Sequence, residues 1–71
     1  MVEFITVKFP STRDVFIDGE KCGSTNKRLQ VQTGRHTIDL GDPRNYEPSF
    51  RRPLVQGTNV IRPMEVVFDQ I

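Results

Sequence analysis

His36 and Cys22 are the only histidine and the only cysteine in the chain, and most of its capacity for nucleophilic or metal chemistry rests on them. Neither has company. A metal centre needs further ligands at short spacing, and a nucleophile needs a positioned base; no such residue lies at a useful distance from His36 in the sequence. His36 shares a face with Ile38 and Leu40 in an alternating segment, and reads as a structural histidine at the rim or surface of a sheet. Cys22, beside Gly23, reads as a small buried hydrophobe at a strand end. With one cysteine, no internal disulfide can form.

Asp14, Asp18 and Glu20 gather oxygen donors in one short stretch, but their spacing is not that of an EF-hand loop, and turn chemistry accounts for Asp18. The stronger charge feature is basic: Arg51 and Arg52, together with Lys27, Arg28, Arg35, Arg44 and Arg62. Solvated strand faces explain such charges. The alternative is a contact face for an anionic glycan or other polyanion, carried by Arg28, Arg35, Arg51 and Arg52. Ten Lys and Arg against nine Asp and Glu leave a net charge of +1, and aromatic residues are not interleaved with the arginines, which argues against nucleic acid as the partner. A nucleophile, a base and oxyanion donors cannot be named together. The sequence therefore points to a non-enzymatic protein without a cofactor.

The elements that carry these residues are strands. Ile5, Val7 and Phe9 alternate with Phe4, Thr6 and Lys8, a period of two that places the odd positions inward. Val15 and Ile17 share one face of a second strand, and Asp18-Gly19 is a strong hairpin signal, because a two-residue turn of the right twist needs positive φ at both central positions. Glu20-Lys21-Cys22 returns. Arg28 to Gln32 and Arg35 to Leu40, joined by a turn at Thr33-Gly34, read as a second hairpin. Gly41 to Asn45 is a loop, and Tyr46 to Val55 is extended but interrupted by Pro48 and Pro53, which confines it to an edge. A turn around Gly57 leads to a last strand over Val60 to Phe68, with Pro63 marking a break. Helical periodicity is absent. About seven short strands with turn signals at intervals of roughly 8 to 12 residues predict a single all-β domain over residues 1–71, a small antiparallel β-sandwich with little or no helix. At 71 residues such a domain buries only about 60% of the surface of its unfolded chain.

The terminal strands carry apolar residues on both faces: Val2 and Phe4 opposite Ile5, Val7 and Phe9, and Ile61 and Val67 opposite Val60, Val66 and Phe68. A strand apolar on both sides is covered on both sides. Either a twist, bulge or loop covers Val2, Phe4, Ile61 and Val67, or the terminal strands lie side by side and offer a patch to a second copy, as in a homodimer, or to another protein. No apolar run approaches the roughly 20 residues that span a bilayer as a helix. With Met1 as the natural start the expected location is cytoplasmic; were the chain a piece of a larger protein, an extracytoplasmic or envelope location would be expected instead.

Pro10, Val15-Phe16-Ile17-Asp18-Gly19, Gly23-Ser24-Thr25, Leu29, Gly34-Arg35-His36-Thr37-Ile38, Tyr46-Glu47-Pro48 and Gly57, in that order, resemble the PEGA domain. The family's pattern is a proline-led bend, a V-x-I-D-G hairpin, G-x-T-P, a short strand, G-x-H-x-I and G-Y-x-P. Here the eponymous tetrapeptide is Pro10-Ser11-Thr12-Arg13, Asn26 stands where the family has proline, and Asn45 stands for the glycine before the tyrosine. Asparagine tolerates the left-handed conformation, so that change is mild. The resemblance implies a transthyretin-like (prealbumin-like) β-sandwich, an accessory module of bacterial or archaeal surface, envelope or signalling proteins that serves structure or protein contact. It carries no catalytic residues. Its matched positions are scaffold, with Asp18, Gly19, Gly34 and Gly57 at turns and Tyr46 pinning a loop.

Overall fold

The computed structural model describes all 71 residues, and its regular structure consists of short strands without helix. The strands are β1 (Val2–Lys8), β2 (Asp14–Ile17), β3 (Glu20–Ser24), β4 (Arg28–Gln32), β5 (Gly34–Arg35), β6 (Ile38–Asp39), β7 (Tyr46–Glu47), β8 (Leu54–Val55), β9 (Met64–Val67) and β10 (Asp69–Gln70). Two three-stranded sheets, β4-β1-β9 and β3-β2-β6, supply most of the framework, with the small ladders β5-β8 and β7-β10 beside them. The all-β expectation holds, and most ladders are antiparallel. The exception is β1 with β9, which pair in parallel, Ile5 opposite Met64 and Val7 opposite Val66.

One hydrophobic core joins the sheets. Ile5 and Val7 of β1, Val15 and Ile17 of β2, Val31, Ile38, Leu40, Val55, Val66 and Phe68 meet there, with Phe9 and Tyr46. Tyr46 stands edge-on to both Phe9 and Phe68, with ring centroids 6.3 and 5.5 Å away. Each aliphatic side chain so buried contributes about 1.5–3 kcal/mol of transfer free energy, which is why a two-residue alternation suffices to set the inward face of β1, β2 and β9.

The Asp18-Gly19 turn forms as the sequence predicts. Phe16 pairs with Lys21 and Ile17 with Glu20, and the two central residues take φ of 53° and 86°. Four expectations are corrected. Arg28–Gln32 and the segment after it do not form a hairpin: β4 pairs with β1, while the 34–40 stretch splits into β5 against β8 and β6 against β2. The bend at Thr33 falls just before Gly34, which itself lies in β5. The last long strand begins at Met64 rather than Val60, because residues 60–62 are bent, with the Asn59 Oδ1 accepting from the amides of Ile61 and Arg62. Tyr46 to Val55 contributes two strands of two residues and an isolated bridge between Arg51 and Ile38. Cys22 is exposed, not buried. Val15 pairs with Gly23 but Phe16 with Lys21, so Cys22 is the extra residue of a bulge, carried out of the ladder into solvent.

Candidate functional site

Three polar clusters fix the loops around the core. Arg13 lies over the rings of Phe9 and Tyr46, at 5.8 and 5.5 Å from their centroids. Its guanidinium donates to Asn45 Oδ1 at 2.6 Å, Leu40 O at 3.2 Å and Pro43 O at 2.8 Å. With the Tyr46 hydroxyl donating to Gly41 O and accepting from the Leu40 amide, it clamps the 40–45 loop. Glu3 is buried on the inward side of β1. Its carboxylate accepts from the hydroxyls of Thr33 and Thr58 and from the Thr58 amide, and these donors, the Thr33 hydroxyl foremost, hold its pKa below the ordinary carboxylate value.

His36 forms the third cluster. Its Nδ1 lies 2.7 Å from Asp18 Oδ2 and its Nε2 lies 2.7 Å from Gln32 O. Both partners only accept, and a neutral imidazole has one N–H, so the arrangement is complete only for the imidazolium. The Asp18 carboxylate, then the Gln32 carbonyl, accordingly raise the pKa of His36. Asp18 is lowered, first by the Thr37 amide and then by His36. The histidine thus ties the Asp18-Gly19 turn to the end of β4. Asp14 faces Lys21 at 3.5 Å while Asp18 is held by His36 and the Thr37 amide, and the acidic residues of the 14–20 stretch do not converge into a metal-binding group.

The residues singled out for contact are distributed as follows. Val2 at the start of β1 and Val67 in β9 are 44% and 45% exposed, and Ile61 in the 60–62 bend is 88% exposed. Phe4 is half-buried. Arg28 of β4 reaches Val60 O at 3.3 Å, which carries that bend over the outer side of β1, where Phe4 and the buried Thr6 lie. The register sets Val67 opposite Lys8, about 13 Å along β1 from Phe4, with the Lys8–Glu65 ion pair at 3.7 Å between them. Val67 is therefore set apart from Val2 and Phe4, which are neighbours on one face of β1. Among the arginines, Arg35 donates to Arg52 O at 3.2 Å and Arg51 Nε to Val67 O at 2.8 Å. Arg35, Arg51 and Arg52 thus gather at one place, while Arg28 sits on β4, across the sheet from β9.

That place is an open sheet edge. β9 pairs only with β1. The Phe68 amide donates to Lys8 O, so the period of two directs the backbone groups of Met64 and Val66 toward β1 and those of Glu65 and Val67 outward. Arg51 Nε caps the outward carbonyl of Val67. The bridge from Arg51 to Ile38 makes residue 51 the border of the β3-β2-β6 sheet, and a groove of about 510 Å³ runs between the two sheets' edges, lined by Arg51, Arg52, Pro53, Met64, Glu65 and Val67 among others. The other edges differ: β3 is bulged and bears Glu20 and Lys21, a device that blunts pairing, and β4 presents the exposed Arg28, Gln30 and Gln32. Proline at 53 and the alternation over 64–68 marked these segments in the sequence; that they border one groove depends on the parallel β1–β9 pairing, which has no local signature.

A family model described as PEGA domain matches residues 9–62. No curated protein and no solved structure was found to match the chain. The matched span holds the Asp18-Gly19 turn, the Tyr46 hydroxyl on the 40–45 loop and His36 on Asp18, the scaffold positions of the motif, and the chain belongs to the PEGA domain family.

Proposed function

We propose that this chain is a non-enzymatic interaction module, a small accessory domain that binds an extended polypeptide segment along the outer edge of β9. The observation that carries the reading is the outward pair Glu65 and Val67 beside the groove bordered by Arg51 to Pro53. An added strand satisfies main-chain donors and acceptors on such an edge, and flanking pockets select alternate side chains. The exposed Val67 and the half-buried Met64 supply apolar surface next to it. A polyanion-binding face is the weaker reading, since Arg28 lies apart from Arg35, Arg51 and Arg52, and Arg28, Arg35 and Arg51 each use part of their guanidinium on a backbone carbonyl.

The test uses a displayed library of random decapeptides panned on the chain and on Val67→Pro, which removes an outward amide but none of the groups facing β1. β-prone peptides enriched on the wild type and lost on the variant support the reading. Equal enrichment on both, or none on either, contradicts it.

A further inference from the structure

The partner's chemistry is legible in the groove. Arg51 and Arg52, the two bases lining the groove, have no carboxylate within ion-pair distance, whereas Glu65, the one acid lining it, is matched by Lys8 on its other side. The groove is thus left with unpaired positive charge, while Pro53 and Met64 give it apolar walls. Arg51 is also a placeholder. Its Nε occupies the Val67 carbonyl, the acceptor that an incoming strand's amide would use.

We propose that the β9 edge takes an acidic extended peptide in which apolar and acidic side chains alternate, the apolar ones toward Met64 and Pro53 and the acidic ones toward Arg51 and Arg52. The strand's amide takes over the Val67 carbonyl, and Arg51 is freed to bind a carboxylate through its fork of N–H donors. The exchange leaves no donor or acceptor unmet, and period-two alternation brings acidic side chains of one strand to the same side. This rests on the edge reading above and adds the sign of the partner's charge.

The test titrates the isotopically labelled chain with three end-capped heptapeptides in which valine alternates with aspartate, serine or lysine, observed by amide chemical shifts. The expected result is that the aspartate peptide shifts the Glu65 and Val67 amides and binds at least tenfold tighter than the lysine peptide, with the preference weakening as salt is raised. Arg51→Glu with Arg52→Glu, both at exposed positions, reverses the order, and this variant serves should Val67→Pro fail to fold. If serine and aspartate peptides bind the edge equally, the charge preference is wrong and the edge reading stands. If no peptide shifts the Glu65 and Val67 amides, both are overturned.

Discussion

Replacing His36 by alanine removes two hydrogen bonds, and the size of the loss depends on pH. The bond to Gln32 O is worth about 1 kcal/mol. The bond to Asp18 is charge-assisted, but the aspartate side chain is 54% exposed, and solvent screening holds its value to about 0.5 kcal/mol. His36→Ala therefore costs about 1.5 kcal/mol when the imidazole is charged, a fall in Tm of roughly 6–12 °C for a domain of this size. The histidine's pKa is raised above its ordinary 6.5, so its contribution is complete below that value and is lost as pH rises through the folded-state value. Asp18 is lowered from 3.8, so its share is present above that value and is lost as pH falls through its own folded-state value. Arg52 adds a smaller pull on Asp18 in the same direction. The penalty is thus largest between these limits and drops to about 0.5 kcal/mol near pH 8.5, where a neutral imidazole can donate only once. Urea unfolding of wild type and variant at about pH 5.5 and about pH 8.5 measures it, and the single histidine allows its titration to be followed by NMR. An equal penalty at both pH values, or a titration at or below 6.5, would refute the clamp.

Other expectations follow from the same contacts. Arg13→Lys keeps the charge but loses the fork that reaches Asn45, Leu40 and Pro43, and should lower stability by about 2 kcal/mol in urea unfolding; a loss below about 0.5 kcal/mol would show that the 40–45 loop is held otherwise. Gly41→Ala should cost more than Gly19→Ala in the same assay. Both have positive φ, yet a Cβ at 41 meets Phe16 Cε1 at 2.7 Å while one at 19 meets nothing within 4 Å. Glu3→Gln should flatten the loss of stability below about pH 4.5, because the wild-type carboxylate, lowered from 4.5, stabilises above that value and loses its contribution as pH falls through its folded-state value.

Local patterns were legible where one residue type can do one thing. Asp18-Gly19 gave its turn because positive φ at two successive positions admits few residues, and the odd positions of β1 gave the inward face. The second hairpin failed because alternation at Leu29 and Val31 fixes a face, not a partner, and β4 found β1 across the core instead. Cys22 was misplaced by one bulge, since a single unpaired residue moves a side chain out of the ladder. Glu3 sits at an inward position of an apolar strand, and its donors Thr33 and Thr58 are 30 and 55 positions away, beyond any local motif. Arg51 and Arg52 stood out by charge alone. Their alignment with the β9 edge arises from the parallel pairing of the two ends of the chain.

Amide hydrogen exchange at β9 tests the central proposal most directly. In the free chain the amides of Val66 and Phe68, directed at β1, should be protected, and those of Glu65 and Val67 should exchange freely; at saturation with the alternating aspartate–valine peptide, Glu65 and Val67 should gain protection of tenfold or more. Protection of Glu65 and Val67 in the free chain, or none gained with peptide bound, would contradict the assignment of β9 as the binding edge.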